Sequence, residues 1–280
     1  MTTLVELRAA VSDLVWAAIS LPDEAMDLPY AWGEYDEDGL RFALLSAYHQ
    51  LRDLAFEAED NREPRPTQAQ RILGGLVQAH ADIDGLLASV SDAELDTSPG
   101  GEEWPLRGIV HHVLRADDGF ASAIRRALAD VREGREHKPY TLDEWRAHRN
   151  RPSPEGGIDA VRAAMRESLD AVVSEFGGLS DKDLETQAYF WEKETFPIRF
   201  RLIRFELHLR QHTVQADKTM AAIGHTPTEA ERLCRLVYLG LGDVEAALLG
   251  APEDAGAPIS AVDSSLRVLA KSVRDSGGRI

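Results

Sequence analysis

Apolar residues recur at every third or fourth position along most of this chain, and no other sequence feature constrains its fold as strongly. Alternation of apolar and polar residues, the pattern of a half-buried strand, is almost absent. Each apolar stripe is about as wide as the core-facing side of a helix. The four longest stripes lie within residues 72–90, 106–124, 158–176 and 198–220. Four long amphipathic helices predict an all-α protein organised around a four-helix bundle.

Shorter stretches with helical spacing precede the bundle. They predict helices near residues 4–19 and 39–58, and the charged segment 61–66, which contains two prolines, is the expected linker. Within the bundle, residues 134–157 include three prolines and are expected to form a loop that crosses it.

The C-terminal part begins with Thr226-Pro227-Thr228-Glu229, the pattern of a capping box with proline at the first helical position. This pattern predicts a helix that starts there and ends near Leu249. A link rich in Gly, Ala and Pro, Glu253–Pro258, then separates this helix from a short one near residues 262–273.

These elements divide the chain into three parts. They are an N-terminal helical extension over residues 1–62, a four-helix bundle over 67–225, and C-terminal helices over 226–280. Similar turns with Ser and Asp recur where helices end. Two interpretations stay open: an internal duplication, which would make the N-terminal extension a degenerate half-bundle, or turn chemistry that is common to most proteins.

The charge of the chain excludes one class of partner. Lys and Arg number 31 against 48 Asp and Glu, which gives a formal net charge of −17. Binding to a nucleic-acid backbone requires a basic stripe, and no Arg cluster in this sequence is large enough to form one. The same balance disfavours an anionic membrane surface. We therefore expect a small-molecule substrate as the partner, with neither nucleic acid nor membrane.

The single cysteine, Cys234, rules out an intrachain disulfide and any metal cluster held by several thiolates. The first residues lack the basic and apolar regions of a secretory signal, and no run of about 18 apolar residues is present to span a membrane. We therefore expect a soluble protein of the cytoplasm. Its nine histidines are then the plentiful side chains that suit soft or borderline metals.

His208 and His212 form the most informative pair. They stand four residues apart on a predicted helix, so their side chains lie one turn apart and point the same way. At about 100° per residue, His212 falls inside the apolar stripe and His208 at its edge. Burying two imidazoles costs free energy unless their nitrogens find partners. A metal ion is one solution, and buried water or a carboxylate is another.

A second candidate position lies about two turns into another predicted helix, where His111 and His112 are neighbours. Adjacent residues on a helix differ by about 100° in direction, so only one of them can join a shared site. Both flank the apolar stripe at similar angles, and periodicity does not choose between them. The other histidines are expected to be structural or solvated; they are His49, His80, His137, His148 and His225.

The helix with the paired histidines also contains Arg199, Arg201, Arg204 and Arg210. The expected role of this run is a solvated, salt-bridged face. The alternative is that these arginines attract a substrate with a carboxylate toward the histidines.

Three motifs in one order resemble the DinB/YfiT-like family. Trp104 is followed eight residues later by His112, and the run His208-x-x-x-His212-x-x-Gln215 comes about a hundred residues further on. The resemblance covers roughly residues 67–225, and the order of the predicted helices agrees with it.

The resemblance implies a DinB-like up-down four-helix bundle with extra N-terminal and C-terminal helices. Three histidines in that family bind one divalent metal, commonly zinc or nickel, near one end of the bundle. The family's Trp-to-His spacing selects His112 as the third ligand. The implied metal ligands are therefore His112, His208 and His212, with Gln215 in contact with a ligand and not with the metal. No further catalytic residue is implied, and a homodimer is expected by analogy.

Characterised members of the family include thiol S-transferases that use bacillithiol or glutathione, and mycothiol-dependent maleylpyruvate isomerases. Three imidazoles leave coordination positions open, as in catalytic metal sites. An open position can hold water or a thiol whose pKa the metal lowers. Because Cys234 is expected to be a buried packing residue, a reactive thiol would have to arrive as a cosubstrate.

Three hypotheses follow for the function. The first is a metal-dependent S-transferase or isomerase that uses a low-molecular-weight thiol. The second is a metal-dependent hydrolase that uses bound hydroxide and needs no thiol. The third is a non-catalytic helical binding or stress-response module with structural or vestigial histidines, which the extra terminal helices and the acidic surface motivate.

Overall fold

The computed structural model describes residues 3–30, 39–148, 150–190, 194–251 and 259–277. The predicted all-α class is confirmed, because helices account for most of the described residues. In chain order the helices are α1 (Leu4–Ala18), α2 (Arg41–Asn61), α3 (Gln68–Leu87), α4 (Asp92–Leu95), α5 (Leu106–Glu133), α6 (Leu142–Ala147), α7 (Ile158–Phe176), α8 (Asp181–Leu184), α9 (Ile198–Ala222), α10 (Glu229–Ala247) and α11 (Ile259–Gly277), and a short 3-10 helix spans Asp23–Asp27.

Several helices begin with a capping box, in which a Ser or Thr side chain accepts a hydrogen bond from the third helical N–H and the acidic side chain there bonds back. The box expected at Thr226 and Glu229 is wrong. The cap of α10 is Thr228, whose hydroxyl oxygen accepts from the backbone N–H of Glu231 at 3.2 Å. The box forms two residues later than expected, with Glu231 as its acidic partner, and Pro227 lies before the helix. The same kind of box begins α1, α4, α6 and α8.

The three prolines of segment 134–157 suggested a loop along its whole length. That prediction is wrong for its middle part, because α6 lies within it. Thr141 caps this helix, and Glu144 completes the capping box. Two short antiparallel strands, β1 (Gln187–Ala188) and β2 (Phe196–Pro197), precede α9 and were not predicted. Strands of two residues are too short to produce a visible alternation in the sequence.

Met1–Arg65, Ala81–Val90 and Thr226–Ile280 form one compact unit. Within it, α2 packs against α10 and α1 packs against α11. The buried residues of these four helices form a largely aliphatic core of their own. This unit therefore contains helices from both ends of the sequence around one hydrophobic centre.

A buried arginine closes the C-terminal end of α10 in this unit. The guanidinium of Arg62 donates to the carbonyl oxygens of Ala247 and Leu249 at 2.8 and 2.5 Å. The last carbonyls of a helix lack partners within the helix and attract positive charge. Arg62 thus satisfies backbone groups that would otherwise need water.

Pro66–His80 and Ser91–His225 form the other unit. Here α5 packs against α7 and, more extensively, against α9. Together with the first part of α3, these helices are the four that apolar periodicity predicts for the bundle. The packing of α5 against α9 matters most for function, because the candidate histidines lie on these two helices.

In the described part of the chain, no helix combines the length and the apolar composition that crossing a bilayer requires. The link Glu253–Pro258 lies outside the described residues. The division into 1–62, 67–225 and 226–280 stays a prediction.

Replacing Gly240 by valine should destabilise the protein. A Cβ atom at Gly240 would lie only 3.0 Å from Cβ of Leu51 and 3.1 Å from a ring carbon of Tyr48, where α10 meets α2. Extra methyl groups in a packed interior cost about 1–3 kcal/mol. Chemical denaturation should therefore show a lower midpoint for Gly240→Val. Ala9→Val, on the exposed side of α1, is the control, and equal midpoints for the two variants would contradict this packing.

Asp117 should make stability depend on pH. It lines a cavity of about 160 Å³ between α5 and α7, and burial together with the charge of Asp118 raises its pKa well above 3.8. A carboxyl whose pKa rises on folding favours the protonated folded state, so it costs stability as the pH increases above 3.8. Asp117→Asn should therefore unfold at a higher temperature than the wild type at neutral pH.

The advantage of Asp117→Asn should shrink as the pH falls toward the ordinary range of an aspartate, where the wild-type side chain is protonated in both states. Thermal unfolding across this range measures the difference. Asp170→Asn, an exposed position on α7, controls for the loss of one surface charge. A wild-type advantage that grows with pH would contradict the direction of the shift.

Candidate metal centre

His208 and His212 lie one turn apart on α9, as their spacing predicts. Both side chains point inward, and the two residues are only 8% and 6% exposed. Their Nε2 atoms are 3.1 Å apart. The four-residue spacing on one helix therefore brings two imidazole nitrogens close together in the interior of the unit.

The third imidazole comes from α5. Nε2 of His112 lies 3.2 Å from Nε2 of His208, and its ring centre is 4.6 Å from that of His212. One nitrogen from each of the three residues lies within 4.8 Å of the others. The structure thus brings together the three histidines that the sequence nominates, from positions separated by almost a hundred residues.

Gln215 orients one of these rings. The Nδ1–H of His212 donates to Oε1 of Gln215 at 2.7 Å, three residues further along α9. This bond leaves the lone pair of His212 on Nε2, which points toward His208. Burial lowers the pKa of His212 below its ordinary value of 6.5 and outweighs the opposite effect of Gln215. The ring is therefore neutral, as a metal ligand must be.

The separations of the nitrogens fit a single divalent ion. Metal–nitrogen bonds of about 2.0–2.1 Å place neighbouring ligand nitrogens about 2.8–3.4 Å apart, the shorter values in octahedral and the longer in tetrahedral coordination. The Nε2–Nε2 distances from His208 to His212 and to His112, 3.1 and 3.2 Å, fall within this range. A lone pair on His212 aimed at another imidazole nitrogen is also the arrangement that a cation stabilises. The donor set and its geometry thus suit a metal.

Aromatic rings surround the three imidazoles. The ring of Phe120 meets His208 edge-on at 5.6 Å, and it also contacts Phe205 at 5.3 Å. On another side, the indole of Trp104 lies 4.9 Å from the ring of His112. The described surroundings are therefore mostly apolar, which strengthens the interaction of any bound charge with its ligands.

His111 does not join the cluster. Its Nε2 lies 2.8 Å from the carbonyl oxygen of Arg151, a residue in the segment between α6 and α7. The side chain of Arg151 is in turn 3.4 Å from Asp118 on α5. His111 therefore holds this segment against α5, and His112, its neighbour, points to the nitrogens of α9.

The five other histidines also lie outside the cluster. His49 is exposed and pairs with Asp53, as expected. The rings of His137 and His225 bond to Asp130 and Glu94, both at 2.8–2.9 Å. His80 is buried, and His148 packs against Tyr140.

Three of the four arginines of α9 fall into two groups. Arg199 and Arg210 pair with Glu185 and Glu206, as a solvated face requires. Arg201 is instead only 1% exposed, and its guanidinium lies 5.0 Å from the ring centre of Phe196 and donates to the carbonyl of Ala188 at 3.2 Å. The sequence contained the signal for this burial, because position 201 lies on the same helical face as Phe205 and His208.

Comparisons with known proteins identify one relationship. A family model of the DinB superfamily matches residues 75–216, just over half of the chain. The matched segment contains His112, His208, His212 and Gln215. Searches of curated proteins and of solved structures gave no significant match.

Gln215→Ala should weaken metal binding without abolishing it. The variant loses the acceptor that fixes the tautomer and the orientation of His212, and loss of such a supporting bond typically costs 10- to 100-fold in metal affinity. Competition titrations with a chromogenic chelator and zinc measure the difference. Gln211→Ala, an exposed residue one turn away on α9, is the matched control. Equal zinc affinities for the two variants would contradict a supporting role for Gln215.

Proposed function

Because this chain belongs to the DinB superfamily, we propose that it is a metal-dependent enzyme that uses a low-molecular-weight thiol to transfer or isomerise a small substrate. The observation that supports this best is the convergence of one ring nitrogen each from His112, His208 and His212. Family membership supplies the class of reaction, and the three histidines supply a centre at which it can occur.

The proposed metal is zinc or nickel. Imidazole nitrogens suit these ions, whereas magnesium and calcium prefer oxygen ligands. Three protein ligands are fewer than either ion requires, so positions remain for substrate atoms or water. This distinguishes the proposed centre from a structural site, in which the protein supplies every ligand.

The thiol would come from a cosubstrate. Cys234, the single cysteine of the sequence, is buried in the core of the other unit, and burial raises the pKa of its thiol to about 12. Only the thiolate is nucleophilic, so Cys234 is inert at neutral pH. A thiol-dependent reaction at the histidines therefore needs a mobile thiol.

A divalent ion supplies Lewis-acid chemistry, which lowers the pKa of a nearby thiol so that its nucleophilic form prevails at neutral pH. The chain's own residues prepare the place for it. The lowered pKa of His212 keeps the ring neutral, Gln215 fixes its orientation, and Phe120 excludes water beside His208. In an S-transfer, the thiol proton passes to solvent and the sulfur bonds to the electrophilic carbon. The leaving group departs with the electron pair of the broken bond.

Metal content tests the site directly. Elemental mass spectrometry should find about one equivalent of zinc or nickel in the wild type after loading, and a strong loss in the double variant His208→Ala/His212→Ala. His111→Ala is the matched control, because it removes the adjacent imidazole, which bonds to Arg151. Metal-free wild type after loading would exclude the proposed centre and favour a non-catalytic binding module.

Thiol dependence tests the reaction. Metal-loaded protein should accelerate conjugation of monochlorobimane with at least one of bacillithiol, glutathione or mycothiol. His212→Ala should reduce that rate by roughly a hundredfold or more, since metal stabilisation is worth several kcal/mol. Unchanged turnover in His212→Ala would contradict the proposal. Ester hydrolysis by the loaded protein without thiol would instead support the hydrolase hypothesis.

The other expectations about the protein's surroundings stay predictions. They are the cytoplasmic location, the homodimer, and a small-molecule substrate in the absence of nucleic-acid or membrane partners.

A further inference from the structure

The three imidazoles differ in their access to solvent. His208 and His212 are buried, whereas His112 is partly exposed. Trp104, whose ring contacts His112, is 41% exposed, although Trp is among the largest apolar side chains. An incoming molecule therefore reaches the cluster on the side where His112 and Trp104 are exposed.

The opposite side of the cluster is closed. Phe120 is buried and meets the ring of His208 edge-on, and it also stacks obliquely on Phe190 at 5.0 Å and contacts Phe205. Phe120, supported by Phe190 and Phe205, therefore covers one face of His208 with apolar surface. A substrate bound at the cluster therefore lies with its reacting atom toward the imidazoles and the rest of its structure toward Trp104.

The backbone of Trp104 is held in place, although its side chain is partly exposed. Pro105 follows it as the cap residue of α5, with its backbone extended, and Thr219 on α9 donates its hydroxyl to the carbonyl oxygen of Trp104 at 3.4 Å. Its backbone is thus held at both helices that supply the histidines. A side chain whose backbone is held before binding, and whose ring already contacts His112, loses less conformational entropy when a ligand packs against it.

Trp104 meets α5 closely. Gly108 lies in the first turn of α5, between Trp104 and His112 in sequence, and a Cβ atom there would lie 3.4 Å from Cβ of Trp104. The indole and the imidazole of His112 come together with ring centres 4.9 Å apart and planes inclined by 46°.

We infer that Trp104 is a specificity-determining residue which selects substrates that present a flat, aromatic or conjugated group next to the metal centre. The inference rests on the proposed function, since it takes the three histidines as the place of reaction. The indole offers a large rigid face at the solvent side of His112. A planar group can stack on this face, whereas a puckered or branched alkyl group of equal size makes fewer contacts with it.

Cobalt-loaded protein tests this inference through ligand binding. The visible spectrum first establishes that one cobalt is bound, which tests the metal centre separately from Trp104. Benzyl mercaptan and cyclohexylmethanethiol are then titrated, and thiolate-to-cobalt absorption reports their dissociation constants. The two probes share a thiol on one methylene and differ in whether the ring is flat. The wild type should bind benzyl mercaptan more tightly, by roughly three- to tenfold, as one aromatic pair contributes.

Variants at Trp104 show whether this residue causes the preference for benzyl mercaptan. Trp104→Leu should lose the preference by weakening benzyl mercaptan alone, and Trp104→Phe should retain most of it, while both still bind one cobalt. Trp16→Ala, an exposed tryptophan of α1 in the other unit, is the control and should match the wild type. No preference in the wild type, or the same preference in Trp104→Leu, would overturn the inference. Loss of cobalt binding from the wild type would instead refute the proposed centre on which it rests.

Discussion

Two imidazoles on successive turns of α9 are buried in a largely apolar helical core, and the organisation of the site depends on satisfying them. Buried polar nitrogens cost free energy unless they have partners. His212 has Gln215 on one side and the nitrogen of His208 on the other. The remaining imidazole comes from His112 on α5, so the close packing of α5 against α9 is a condition for the cluster. The cluster of three imidazoles is thus a consequence of helix packing, with no special loop required.

Most of the fold follows from apolar periodicity, because a helix core is a local pattern repeated along the chain. The long helices agree closely with the predicted ones, including α2 and α10. The wrong or missing predictions concern short features, such as a helix cap or a two-residue strand, in which only a few residues determine the structure. Thr226 and Thr228 both resemble a cap, and only the structure shows which hydroxyl meets a free N–H. The strands before α9 are stabilised by pairing between two segments, which no local pattern reports.

The part of the site that lies on a single helix could be predicted from the sequence. The spacing of His208 and His212 is sufficient to place their rings together. The choice between His111 and His112 depends on contacts across α5, α9 and the segment containing Arg151, and these are invisible to periodicity. The spacing between Trp104 and His112, which resembles that of the family, selected His112 where helical angles did not distinguish it from His111. The burial of Arg201 was open to prediction, because its angular position places it beside the core, but its charge suggested the opposite.

The described carboxylates of this acidic chain do not belong to the proposed metal centre. Among the described residues, Glu231 completes the cap of α10 and Asp96 pairs with Arg107, as examples of carboxylates with structural roles. The described cluster has three imidazoles and no carboxylate. A net charge of −17 attracts any cation to the surface, but exposed carboxylates hold it weakly. Nitrogen donors discriminate by chemistry: they favour zinc or nickel over magnesium and calcium, whatever the total charge. Selectivity would therefore arise from the three rings, and the acidic surface would contribute only to the encounter.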